Sequence, residues 1–139
     1  MREILFRGKR MDTGEWVEGH YNYANWYLPP SMKIVDTTHH ILPVGHGDSY
    51  EIDINTLGQY TGLTDKNGKK IFEGDVCRVT RPCVLAYGKI TFENGCYWFV
   101  DDGPGGMLRL CDAKMNGFQI EVIGNIHDNP EMLGGGNDG

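Results

Sequence analysis

The stretch "GKITFENGCYWFV", Gly88 to Val100, decides the fold class. Asn94-Gly95 stands between two runs rich in β-branched and aromatic residues. That dipeptide marks a two-residue type I′ hairpin turn, because both central positions need positive φ. Side chains alternate across a strand, so Ile90 and Phe92 share one face while Lys89, Thr91 and Glu93 share the other. The same period recurs on either side. "DVCRVT" (75–80) sets Cys77 and Val79 against Arg78, and "FQIEV" (118–122) turns Phe118, Ile120 and Val122 away from Gln119 and Glu121. "SYEIDINT" (49–56) places Tyr50, Ile52 and Ile54 opposite Glu51 and Asp53.

The first half reads the same way with more interruptions. "EILFR" (3–7) and "WVEGHYNY" (16–23) form an N-terminal hairpin joined by the turn material "MDTGE" (11–15). Pro29-Pro30 ends any central strand, since proline has no ladder donor. Short strands around Trp26–Leu28, Lys33–Val35 and His40–Leu42 fit the remainder. No long window keeps apolar residues at helical spacing without glycine or proline breaking it. "DNPEML" (128–133) offers Asn129 as N-cap, Pro130 at the first helical position and Glu131 beside it, which predicts one helical turn at most. "GGGNDG" (134–139) reads as a flexible tail. The expectation is one all-β domain over 1–133, a coiled sheet or partly open small barrel with many tight turns.

Bulk composition agrees. Hydrophobic residues make up 40% of the 139, enough for a core, and the 20 glycines are spread along the chain as tight turns require. No apolar run approaches the roughly 18 residues of a membrane-spanning helix, and "MREILFRGKR" lacks the apolar core of a signal peptide. No membrane partner and a cytoplasmic location are therefore expected. Thirteen basic against 19 acidic residues leave a net charge of −6, which disfavours a polyanionic partner. The two basic clusters, "FRGKR" (6–10) and "KNGKK" (66–70), read as solvated turns.

"DKNGKKIFEGDV", from Asp65, fails as a calcium loop, because positions six and twelve are Lys70 and Val76 where glycine and glutamate are needed. Gly62 to Gly68 has the wrong spacing for a phosphate loop. The whole stretch from Gln59 to Cys77 reads as a structural joint, with turns at Asp65–Gly68 and Glu73–Asp75. Cys77, Cys83, Cys96 and Cys111 lack the close pairing of zinc ligands, so reduced thiols and no metal are expected. His20, His39, His40, His46 and His127 form no paired element, and His39 and His40 leave opposite faces of a strand. No nucleophile elbow surrounds Ser31 or Ser49, and no cofactor motif is present.

Tyr21, Tyr23, Trp26 and Tyr27 cluster just before the diproline. Such residues cover a thin core, anchor a protein interface or stack on single-stranded bases. They are the expected binding residues here. Lys66, Lys69 and Lys70 are the nucleic-acid contacts of the alternative reading.

Three stretches carry a family resemblance: "REILFRGKRMDTGEWVEG" (2–19), "GQYTGLTDKNGKKIFEGDVC" (58–77) and "IEVIGNIHDNPEML" (120–133). Together they resemble the YopX family of small proteins from bacterial phages and prophages. The resemblance implies coiled, bifurcated β-sheets, a mobile-element origin and self-association into a homo-oligomer. It implies no reaction and no catalytic residues. The combined expectation is a non-enzymatic binding or assembly module acting through protein contacts, with a nucleic-acid-associated protein using a β surface as the alternative.

Overall fold

The alternating stretches become strands in the computed structural model, which describes residues 4–45, 47–101, 103 and 106–132. The chain divides into two compact units, Met1–Gln59 and Tyr60–Gly139. The tail at 134–139 and His46 lie outside the described residues.

In the first unit, β1 (Phe6–Arg10), β2 (Trp16–Leu28), β3 (Lys33–Leu42) and the leading part of β4 (Tyr50–Thr64) are each antiparallel to the next. β1 also pairs with β4, which closes a four-stranded barrel. Closure satisfies the backbone groups that an open sheet leaves at its edges. Ile41 and Ile52 are fully buried within this unit. The β1–β4 ladder jumps from Arg7↔Gly58 to Lys9↔Asp53. Thr56 bridges the irregularity, its hydroxyl accepting the Lys9 N–H at 2.8 Å and donating to the Asp53 carbonyl at 2.6 Å. Gly19 is required by close approach: a Cβ there would run into the Leu42 carbonyl and Pro43 backbone.

Two expectations change here. The basic stretch Phe6–Arg10, read as a solvated turn, is strand β1, and Arg7 within it is buried. Its guanidinium lies 4.6 Å from the Trp16 ring centre, with Lys9 5.5 Å from the same ring. An aromatic face and the apolar stems of long cations let a charged sequence serve as a barrel strand. The short pieces expected between Trp26 and Leu42 are instead two long strands, because β2 and β3 pair from His20↔Leu42 to Leu28↔Lys33, with one register shift between Trp26 and Tyr27.

The second unit begins within β4, whose end pairs with β5 (Lys70–Phe72). β6 (Asp75–Arg81), β7 (Val84–Glu93), β8 (Cys96–Asp101), β9 (Met107–Arg109) and β10 (Gln119–Asn125) form a second antiparallel sheet in the order β10-β6-β7-β8-β9. Asn94 and Gly95 have φ of 53° and 79°, as the hairpin signature requires. The core comprises Ile71, Cys77, Val79, Ile90, Phe99, Leu110, Ala113 and Ile120. The last element of that core has no counterpart in the sequence reading. Leu110–Met115 is an α-helix, α1, burying Leu110 and Ala113 with Asp112 in its first turn and Lys114 in its last. Six residues are too short to show helical period, so tertiary burial selects the helix. The terminal turn expected at "DNPEML" is present as a 3-10 turn, Pro130–Met132.

Candidate functional site

Beyond the barrel, β2 and β3 continue as a two-stranded ribbon. β1 accompanies β2 only as far as Gly19, and β4 accompanies β3 only over His39–Ile41. A ribbon with no further strand or layer cannot bury its side chains. Tyr23, Trp26 and Tyr27 are accordingly 61%, 53% and 48% exposed. Tyr21, nearer the barrel, is half-buried; its hydroxyl lies 2.7 Å from His39 Nδ1 and its ring packs on Phe6. Alternation sends Tyr21, Tyr23 and Tyr27 to one face and Trp26 to the other. The aromatic cluster therefore surrounds the ribbon and does not form a single flat patch.

Residues missed by sequence reasoning extend this surface. Leu28, Met32, Ile34 and Val35 are all more than half exposed, at and beside the turn. The legible signal was the apolar run on both sides of the diproline in "WYLPPSMKIV" (26–35). The ribbon also carries its own polar bracing. The Trp26 indole N–H donates to Thr38 Oγ1 at 2.9 Å, and that oxygen lies 2.8 Å from His40 Nε2. On the other face Thr37 donates to the Asn25 side-chain oxygen at 2.8 Å. The Asp36 carboxylate accepts the Thr37 N–H at 2.9 Å. A charged residue holding a strand-edge N–H blunts edge-to-edge pairing.

The joint at Asp65–Gly68 is built for cohesion. Asp65 is buried; its Oδ1 accepts the N–H groups of Asn67 and Lys69, and its Oδ2 accepts that of Val122 on β10. The Lys66 N–H donates to the Ile120 carbonyl, so the turn runs along the outer edge of β10. Burial pushes the Asp65 carboxyl up, but the bonds from Val122, Lys69 and Asn67 outweigh it and hold the group below the ordinary carboxylate value. Asn125 makes a second knot, its Oδ1 accepting the N–H groups of His127 and Asp128.

The lysines of the alternative reading have different surroundings. Lys66 lies 3.8 Å from Glu121, which also pairs with Arg78. Lys70 sits 6.0 Å from the Tyr60 ring centre, while the Lys69 side chain is exposed. Among the groups able to do chemistry, Cys77 is buried, Cys96 half-buried, and Cys83 and Cys111 exposed, and none of the four is in a disulfide. Among the described residues no cluster of three or more histidines, cysteines or carboxylates has the geometry of a metal site. An apolar hollow of about 290 Å³ in the second unit is lined by Val79, Ala86, Phe99, Met107, Leu108 and Phe118, together with Asp101. That carboxylate already accepts the Gly103 N–H at 2.7 Å. No helix among the described residues is long and apolar enough to cross a membrane.

Comparison with known proteins places the architecture. The crystal structure of protein EF1440 from Enterococcus faecalis superimposes with a TM-score of 0.54, at 23% identity, covering 96% of this chain and 99% of that one. At that identity the likeness concerns the fold. A search of curated proteins gives no match. Residues 5–134 match the family described as YopX protein, which spans nearly the whole chain and includes both the barrel and the second sheet. The chain belongs to the YopX family.

Proposed function

We propose that this chain is a non-enzymatic binding or assembly module of phage or prophage origin. In this reading it works in the host cytoplasm through contacts with a partner protein or further copies of itself. One observation carries the reading: the β2–β3 ribbon exposes Tyr23, Trp26, Tyr27, Leu28, Met32, Ile34 and Val35 together. Aromatic and methionine side chains are enriched at interfaces, where a few buried anchors supply most of the energy. An apolar cluster left in water costs solubility without adding stability, which supports a role in contact.

The test compares wild type with Y23A/W26A in affinity capture from host lysate, with and without nuclease, alongside solution mass by light scattering. The double variant is expected to lose a nuclease-resistant partner, or to fall in mass, while its circular dichroism and melting stay unchanged. Retention of every partner and of the mass, or loss of the fold, would overturn the proposal. Recovery that vanishes with nuclease would transfer the case to the nucleic-acid reading through Lys66, Lys69 and Lys70.

A further inference from the structure

The β2–β3 ribbon has two outer edges, and the chain treats them differently. β1 follows β2 only to Gly19, and among the described residues no strand pairs with the outer edge of β2 beyond it. Leu28 ends β2 immediately before Pro29, so the open edge covers residues 20–28. Extended backbone turns the N–H and C=O of alternate residues outward along such an edge. The edge of β3 is guarded. Asp36 Oδ1 takes the Thr37 N–H at 2.9 Å, and Lys33 and Asp36 carry charge. The register also steps from Trp26↔Asp36 to Tyr27↔Ile34, which leaves Val35 as an extra residue on β3. Charges and bulges of this kind keep a further strand from pairing. The edge of β2 has neither. Residues 19–32, between Glu18 and Lys33, are the longest stretch of the chain without an aspartate, glutamate, lysine or arginine.

The unguarded edge also matches itself. Two copies of β2 can lie antiparallel with Asn25 of each at the centre. Tyr23 then stands opposite Tyr27 of the second copy on one face, and Ala24 opposite Trp26 of the second copy on the other. Asn22 stands opposite Leu28 of the second copy. Directly opposed positions favour aromatic pairs and disfavour like charges, and this register supplies the first without the second. Two chains that each carry a net charge of −6 meet here without opposing an acidic side chain.

We propose that residues 22–28 of β2 form the edge on which a second copy of this chain pairs, β2 against β2 about Asn25. The pairing turns two ribbons, each marginal in water, into one four-stranded sheet in the order β3-β2-β2-β3. Both outer edges of that sheet are the guarded β3, so assembly through this edge closes at two copies. The proposal rests on the reading of the ribbon as a contact surface and names its occupant.

The experiment measures the solution mass of the full chain by sedimentation across a dilution series, for wild type, N25K, N25D, their equal mixture and V35K. Circular dichroism and melting report that each variant is folded. Asn25 faces its own copy at the centre, so either charge alone opposes itself and the two charges together attract. Wild type and V35K are expected at the mass of two chains, N25K and N25D each at half of that, and the mixture back at two. Wild type at the mass of one chain, variants that keep the paired mass, or a mixture that stays at one chain overturns the pairing. If the pairing is overturned while Y23A/W26A still blocks capture, the ribbon remains a contact surface whose occupant is a foreign protein. If N25K and N25D behave as a complementary pair while Y23A/W26A changes neither capture nor mass, the edge pairing stands and the aromatic anchors fall.

Discussion

Two hairpins of this protein have similar composition and opposite fates. "HYNYANWYL" (20–28) on β2 and "CYWFV" (96–100) on β8 both mix aromatic and small residues in extended backbone. In the β7–β8 hairpin Ile90 and Phe99 are buried, and Trp98 donates to the Glu93 carbonyl beneath the Arg109 guanidinium. In the β2–β3 ribbon Trp26 and Tyr27 face water. The difference lies in what flanks each pair. β7 and β8 have β6 and β9 as outer neighbours, and α1 adds Leu110 and Ala113 to the core they share. β2 and β3 outrun β1 and β4. Burial is a property of neighbours, and composition alone does not assign it.

Substitutions can break this comparison, and the largest effect belongs to the sheltered hairpin. Phe99→Ala removes a side chain that is 3% exposed, and is expected to lower unfolding free energy by about 3–5 kcal/mol in a denaturant titration. A loss under about 1 kcal/mol would mean the core does not depend on that ring.

Asp65 pins the turn to β10, at the outer edge of the sheet that shelters β7 and β8. Asp65→Ala strands N–H groups of Asn67, Lys69 and Val122, with an expected loss of about 2–3 kcal/mol. The pH dependence adds a second check. Because the folded carboxyl titrates below its unfolded value, its contribution is present above about pH 4 and disappears as pH falls through the folded value. Acid titration of stability should therefore be shallower below pH 4 in the variant than in wild type. Equal slopes would show that Asp65 contributes nothing through its charge.

Gly95→Ala places a Cβ at φ 79°, costing about 1 kcal/mol, with the β7–β8 register unchanged in exchange-protection measurements. The smallest stability effect is expected for Y23A/W26A, below about 1 kcal/mol, since both side chains are mainly in water. A loss as large as that of Phe99→Ala would erase the contrast between the hairpins and return the ribbon aromatics to the core.

Much of the second sheet was legible. Asn94-Gly95 fixed a turn through its φ requirement, and alternation in 75–80 and 118–122 assigned Cys77, Val79 and Ile120 to the core correctly. The errors arose where local pattern and tertiary context part. "FRGKR" looked solvated because charge is easy to read and an aromatic ring brought beneath it is not. α1 was invisible because six residues cannot display a period. Of the exposed apolar surface of the ribbon, Tyr21 to Tyr27 was named from composition, while Leu28, Met32, Ile34 and Val35 were passed over as broken strand.

By itself the sequence determined what depends on near neighbours in the chain: β class, turn positions, the face each strand residue takes, and family membership through three recurring stretches. Tertiary structure alone decided closure of the barrel through β1 and β4, the drawing of Asp65 onto β10, and the length by which β2 and β3 outrun their partners. Those outcomes depend on pairing between residues far apart in sequence. Local propensity carries no record of which distant strand arrives, or of where it stops.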